Sequence, residues 1–315
     1  MPQPPLLVSR SQVRSVLDWE SVLAATREGL RNSTDATGQS SVSTQVLYSG
    51  GSLHLKAAAS GAHQILSVKS NLRPIEGGVS GVLLVYDLTE DRLAGVVDAG
   101  FMTALRTAAI AVIAVQELSY EGSIRMAVLG TGPVGRELML GLQRSLDVSE
   151  VRVWSRNEAR ARDALSLIDG GCPASAWGTV AEAVYGVDLV VTATPALAPI
   201  LHLHELSSQP LILAMGADTV GKQEIESALL EESDVVADVV SDAVSVGDSA
   251  HLRPEHLGRV QDLGGIMNKT TTLERHRPLL IFDSVGSSQV DAAVSSVILA
   301  RARERGLGVP INLSI

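Results

Sequence analysis

Two hydrophobic rhythms divide this sequence. Residues 43–48, 53–58, 65–71, 79–87 and 93–97 hold apolar and polar positions at a period of two, the pattern of strands with one buried face. Gly-rich or charged turns separate these runs, such as Tyr48-Ser-Gly-Gly-Ser52 and Thr89-Glu-Asp-Arg92. An antiparallel or mixed sheet is therefore expected. Helices are predicted near 19–29 and over 102–118. Beyond residue 123 the rhythm changes to short β-branched runs, 124–129, 151–154, 187–194, 211–215, 234–240 and 279–282, separated by helix-like or loop segments. That alternation predicts a parallel sheet wound by right-handed crossovers. A last helix, 289–305, follows the final strand and is expected to return to the first domain. The fold class is thus α/β, with one domain over 1–119 plus 288–315 and a second over 120–287. Residues 119–123 are the expected crossing.

Composition narrows the class. The 315 residues are 45% hydrophobic and 19% charged, enough to bury two cores and too apolar for a disordered chain. The longest unbroken apolar stretch, 108–115, is too short to cross a bilayer, and residues 1–10 lack the pattern of a signal peptide. Cys172 is the lone cysteine, so neither an internal disulfide nor a Cys-rich metal site is expected. A cytoplasmic protein without a metal or membrane partner follows. The net charge of −10 argues against a nucleic-acid partner, which requires clustered cations. Only 9 basic and 10 acidic side chains lie in residues 1–120, so most of the acidic excess falls later. Residues 223–248, with Glu224, Glu226, Glu231, Glu232, Asp234, Asp238, Asp242 and Asp248, read as a solvated helix-and-loop surface.

Strand 124–129 leads directly into Gly130-Thr131-Gly132-Pro133-Val134-Gly135. Gly130 allows a tight turn, Gly132 lets a pyrophosphate approach the backbone, and Gly135 brings helix and strand together. The phosphates then meet the free N–H groups at the helix start. The expectation is a Rossmann-type dinucleotide-binding domain. At the end of the next strand, where a carboxylate would accept from a ribose hydroxyl, the chain has Ser155, Arg156 and Asn157. A hydroxyl and a guanidinium suit a 2′-phosphate, so NADP(H) is favoured over NAD(H).

Lysine is scarce: Lys56, Lys69, Lys222 and Lys269 are the four present. Two of them lie in the apolar first domain, Lys56 beside His54 on one strand and Lys69 on another. Arg106 sits in a helix start otherwise almost without charge. Burying such cations costs several kcal/mol each without an anion, and a small anionic substrate is the economical partner. His54 reads equally as a hydrogen-bonded core histidine. In the second domain Asp218 follows a strand at its carboxyl end, the binding edge of an open parallel sheet. It reads as a proton-transfer group near a nicotinamide and a lysine, or as an N-cap for a following helix.

Together these pieces resemble the ornithine cyclodeaminase/μ-crystallin family, which includes alanine dehydrogenase and ketimine reductase branches. The resemblance runs in order through Val68-Lys69, Thr103-Ala-x-Arg106-Thr-Ala-Ala109, the Gly130–Gly135 turn, Thr192-Ala-Thr194-Pro195, Gly216-Ala-Asp218 and Ile281-Phe-Asp-Ser-Val-Gly286. It implies that Lys69 and Arg106 hold a substrate carboxylate and that Asp218 moves a proton at the substrate amine. Thr194 and Gly216 are expected beside the cofactor. The implied chemistry is hydride transfer at a carboxylate-bearing C=N carbon, in a homodimer built through the first domain.

The chain departs from the family in three places. Residues 42–45 hold no Arg where many relatives have Pro-x-Arg-Thr, and Leu55-Lys56-Ala57 replaces a common Met-Pro-Ala, so Lys56 is expected to serve as a carboxylate anchor. His54 lies where cyclodeaminases carry a Glu nearby. The expected activity is reduction of a small imino acid, of the ketimine, pyrroline-2-carboxylate or iminosuccinate type. Alternatives are an ornithine or lysine cyclodeaminase with recycled NAD, and a non-catalytic NADPH-binding protein.

Overall fold

A computed structural model of the chain describes residues 4–33, 41–74, 78–118, 122–168 and 170–312. The expected crossing at 119–123 lies partly outside them. Two compact units emerge, Met1–Arg106 with Ser287–Ile315, and Thr107–Gly286.

The first unit opens with β1 (Leu6–Val8), α1 (Arg10–Val16) and α2 (Trp19–Asn32). Asp18 caps α2 by accepting from Ser21 N–H, satisfying one of the donors a helix start leaves open. Five strands follow: β2 (Ser41–Tyr48), β3 (Gly51–Ser60), β4 (Ile65–Pro74), β5 (Ser80–Asp87) and β6 (Arg92–Asp98). They pair antiparallel in sequence order, as short turns between alternating strands dictate. β1 joins β6 in parallel, which makes the sheet mixed. Its register decides the chemistry of one face: Lys56 lies opposite Lys69, and His54 opposite Asn71.

Helix α3 (Gly100–Glu117) follows. It is long and apolar enough to pass as a membrane span, a point the uninterrupted run at 108–115 understated. Since 72% of it is buried within the protein, its apolar surface is accounted for as a core helix.

The second unit is built on β7 (Ile124–Leu129), α4 (Pro133–Ser145), β8 (Val148–Trp154), α5 (Glu158–Ala164), β9 (Ala174–Ala176), α6 (Val180–Val184) and β10 (Leu189–Thr192). It continues through β11 (Leu197–Leu201), β12 (Leu211–Ala214), β13 (Gln223–Ile225), α7 (Ser227–Glu231), β14 (Ser233–Ala237), α8 (Val240–Val246), β15 (Gln261–Asp262), α9 (Leu263–Met267) and β16 (Leu279–Asp283). Eight of these strands form one sheet in the order β15-β14-β16-β12-β10-β7-β8-β9, and every pairing in it is parallel. The central strands are buried on both faces, so they read as unbroken apolar runs. The order reverses beside β7, so the ligand crevice of such a sheet is expected where the Gly130 turn leaves that strand.

The chain then returns to the first unit as α10 (Ser288–Glu304) and β17 (Val309–Pro310), the latter antiparallel to β1. Helix α10 packs on α2 so closely that a Cβ at Gly29 would lie 2.6 Å from the Val290 Cα. Here glycine is required by a backbone contact, and α10 is fixed in place by it.

One sequence expectation is corrected by the second unit. The acidic run 223–248 is only in part a solvated surface: Glu232 is exposed and Glu226, Glu231 and Asp242 are half-buried, but Glu224, Asp238 and Asp248 have no exposed area and Asp234 is 5% exposed. Each buried carboxylate acts as a brace. Asp248 accepts from Glu224 and Ile225 N–H, and Asp238 from Val285 and Gly286 N–H and the Ser284 hydroxyl. Backbone donors inside the domain replace the water that a carboxylate run normally implies.

Candidate active site

The glycine turn fulfils three separate steric demands. Gly130 has φ +118°, and a Cβ there would sit 2.4 Å from the Ala193 carbonyl oxygen. At Gly135 a Cβ would lie 2.1 Å from the Gly130 carbonyl oxygen. These two glycines are demanded by the protein's own packing. Gly132 is different: nothing lies within 4 Å of a Cβ built on it. Its bare backbone therefore clears space for something outside the chain. Gly132 is the N-cap of α4, with Pro133 at the first helical position, so the helix opens with N–H groups facing that space. Thr131 is buried, Val134 half-buried. This cradle fits the pyrophosphate of a dinucleotide, with the N-terminal N–H groups of α4 as the phosphate donors.

At the end of β8, Ser155 is half-buried and Arg156 exposed. Asn157 is already engaged: its side chain caps α5 by accepting from Ala159 and Arg160 N–H. Thr194 and Gly216 are also held, and by a residue that sequence reading placed on the surface. Fully buried Glu224 accepts from the Thr194 N–H and hydroxyl at 2.6 and 2.7 Å, from the Thr192 hydroxyl at 2.7 Å and from Gly216 N–H at 2.8 Å. One carboxylate thus ties together the loops that leave β10 and β12. Burial pushes its pKa up against those four bonds.

Asp218 lies on the loop after β12, half-buried, 2.9 Å from the Lys222 Nζ. Lys222 also donates to the Gly216 carbonyl at 3.1 Å. No helix begins until α7 at Ser227, so the N-cap alternative for Asp218 falls away. The carboxylate is instead paired with a lysine that the sequence had offered only as a loop residue. Lys222 is held in turn through its own carbonyl, which lies 3.1 Å from His251 Nε2.

Behind these loops the second unit holds a carboxylate with a displaced proton affinity. Asp283, fully buried, accepts from the Ser249 N–H and hydroxyl through Oδ2, while its Oδ1 and the Oδ2 of buried Asp248 have no hydrogen-bond partner among the described residues. Desolvation, with Asp238 nearby, pushes Asp283 up to about 7. An unfolded aspartate titrates at about 3.9. Between about pH 4 and 7 the native chain therefore holds a proton that the unfolded chain has lost. Stability from this group should fall as pH rises through that window, at up to about 1.4 kcal/mol per pH unit, and level off on either side. Chemical denaturation across pH 4–8 checks this. Asp283→Asn, which mimics the protonated acid, should flatten the slope over that window, and an unchanged slope would remove Asp283 as its source.

In the first unit, the predicted cations converge. Lys69 on β4 is 4% exposed, and Arg106 on α3 is also 4% exposed. Lys56, directly opposite Lys69, is half-buried. His54 is buried, with Nε2 2.9 Å from the Ser52 hydroxyl, as in the hydrogen-bonded core reading. The expectation that an external anion must neutralise this group needs correction. Asp291 of α10, 1% exposed, lies between the two most buried cations, with Oδ2 2.5 Å from Lys69 Nζ and Oδ1 3.0 Å from Arg106 Nε. Desolvation dominates at Lys69 and, despite Asp291, lowers it to about 7; Arg106 and Lys56 press the same way. Asp291 is held below its ordinary value by Lys69 and Arg106 acting against its own burial.

Comparison with known proteins bears on the family and the fold. A protein of Rhizobium meliloti (strain 1021) named as a dehydrogenase is 29% identical over 218 residues, 67% of this chain and 66% of that one. The match spans just under two thirds of that relative. The iminosuccinate reductase of Paracoccus denitrificans (strain Pd 1222) is 26% identical over 73% of each chain. Among solved structures, an archaeal alanine dehydrogenase dimer with bound NAD superposes with a TM-score of 0.90 at 22% identity, covering 99% of this chain and all of that one; at this identity it shows the fold. Residues 5–306 match the ornithine cyclodeaminase/mu-crystallin family, and the chain belongs to that family.

Proposed function

We propose that the protein is an NADP(H)-dependent reductase of a small imino acid, forming an L-amino acid. The observation that carries this reading is the buried set of Lys69 and Arg106, which offers charge-assisted donors to a carboxylate inside an apolar domain. When bound, the dinucleotide supplies the hydride for the C=N carbon. The cradle at Gly132 and the α4 N-terminus hold its phosphates. Lys69 and Arg106 hold the substrate carboxylate, with Lys56 as a further anchor and His54 as a neighbour. Orientation by these groups turns the reduction into a reaction of fixed partners. Asp218 carries the proton at the substrate nitrogen, with Lys222 holding its carboxylate.

A name among the relatives supports this chemistry, since one is an iminosuccinate reductase. The test is consumption of NADPH with a panel of pyrroline-2-carboxylate, iminosuccinate and 2-oxo acids supplied with amines. No turnover across the panel would sink the proposal. Ammonia release from ornithine or lysine without net change in nicotinamide absorbance would assign cyclodeamination instead.

The preference for the phosphorylated cofactor rests on Arg156, exposed at the end of β8 with no carboxylate at Ser155 or Asn157. Arg156→Ala should weaken NADPH binding by about tenfold, the worth of one charge-assisted contact of ~1.4 kcal/mol, and leave NADH binding unchanged. Fluorescence titration of both cofactors reads the difference; equal losses would place Arg156 outside the 2′ site.

A homodimer is part of the same reading. Strand β2 ends its sheet and exposes Val42, Val46, Leu47 and Tyr48, with Leu47 76% accessible. An apolar, unpaired edge of this kind is normally covered. A cytosolic location belongs to the same reading, in keeping with a lone, free Cys172.

A further inference from the structure

A carboxylate inside a carboxylate-binding site is a paradox unless it has a purpose. Asp291 competes for the very donors that a substrate would use, and it does so from a rigid platform. It lies in the first turn of the 17-residue helix α10, where the helix dipole favours an anion. Ser287 caps that turn, and the Gly29–Val290 contact prevents α10 from sliding. Asp291 accepts from the Nε of Arg106, one of five guanidinium donors arranged as a fork. With Lys69 protonated the trio sums to one positive charge, the complement of a single carboxylate.

We propose that Asp291 is the positioning residue of the substrate-carboxylate anchor, an internal counter-ion that orients Lys69 and Arg106 and keeps Lys69 protonated for the anion it receives. The inference rests on the functional reading above and deepens it. Without Asp291 three cations would face each other: Lys69 from β4, Lys56 from β3 and Arg106 from α3. Mutual repulsion and desolvation would strip the proton from Lys69 and splay the pair. His54 lies one step along β3 from Lys56, while β5 places uncharged Leu83 opposite Lys69. Helix α2 turns Trp19, Val22, Ala25, Thr26, Gly29 and Leu30 inward, so it adds no charge. Asp291 therefore balances Lys69 and Arg106 directly, and its removal acts on Lys69 in one direction.

The experiment exploits the scarcity of lysine. With four lysines in the chain, [13Cε]lysine NMR gives at most four signals per protomer, and the one lost in Lys69→Met is Lys69. In the wild type Lys69 should titrate near neutrality. In Asp291→Asn its midpoint should fall by a pH unit or more, because the attraction that held the proton is gone. KM for the imino acid should rise ~10–100-fold, the alkaline limb of kcat/KM should move to lower pH by the same interval, and the cofactor Kd should stay put. Asp291→Glu should recover part of each loss, which a merely structural role would not produce. An unmoved Lys69 midpoint together with unchanged KM overturns the inference. If Asp291→Asn does not fold, Asp291→Glu serves: its longer stem must also shift midpoint and KM, and wild-type values there overturn the proposal. Lys69→Met separates this from the parent reading, since retained turnover in that variant overturns the reading itself, and the inference with it.

Discussion

Replacing Lys69 with Met should abolish turnover, by ~10³-fold or more in kcat/KM, while NADPH binds as before. Met fills nearly the same volume as the lysine stem, so the buried position between Lys56 and Leu83 on neighbouring strands stays packed. Asp291 keeps its bond to Arg106, so no carboxylate is left wholly unpaired. The substrate, however, loses one of its two most buried cationic partners. Truncating one member of a buried charge pair costs ~2–5 kcal/mol, which is ~30- to 4000-fold at 1.4 kcal/mol per decade. On the proposed reading the upper end applies, because a substrate without its anchor is misplaced for reaction and misplacement multiplies the loss. Steady-state kinetics and a cofactor titration on the same preparation decide it. Turnover at wild-type level would remove Lys69 from the mechanism.

That Lys69 could be singled out at all is a matter of locality. A lysine flanked by Val68 on an alternating strand declares its burial within a few residues, and the Gly130–Gly135 turn declares its geometry within six. Both signals are carried by neighbours in the chain. The partner of Lys69 is not, because Asp291 is 185 residues beyond Arg106 and reads locally as one acidic residue in the first turn of a terminal helix. Nothing near it distinguishes it from an ordinary helix-start carboxylate. Pairing across that separation requires α10 to return to the β3–β4 face, and the sequence pattern offered that return without its register.

The acidic stretch failed for a different reason. A run of carboxylates without lysine or arginine resembles a hydrated surface, because charge is usually neutralised by countercharge or water. Glu224 and Asp238 are satisfied by backbone N–H groups and hydroxyls, and Asp248 is held through one oxygen by the N–H groups of Glu224 and Ile225. Backbone donors have no letter in the sequence. The same blindness hid Lys222, whose pairing with Asp218 depends on a turn that brings residues four apart together outside any helix. What the sequence transmits poorly is the polar wiring that holds the loops, whereas the glycines and the alternating strands that place the loops are locally encoded.

Asp218→Asn is the second large effect expected, a fall of ~10²–10⁴-fold in kcat, the range that a positioned proton-transfer group supplies. The amide keeps the shape of the side chain and can still accept from Lys222 Nζ, so the loop between Gly216 and Gln223 should hold its conformation. What it cannot do is take up or release a proton at the substrate nitrogen. On the proposed reading its negative charge is lost as well, and both changes fall on the chemical step. The signature is therefore specific: kcat falls steeply, KM for the imino acid changes by less than about threefold, and the NADPH Kd is unaltered. Lys222→Met makes the complementary prediction with a smaller magnitude, because it leaves the Asp218 carboxylate in place without its lysine. If Asp218→Asn instead raised KM and spared kcat, Asp218 would be a ground-state contact, and proton delivery would have to come from another group. Retention of the Lys69-dependent pH limb in Asp218→Asn would further show that the two ionisations are independent.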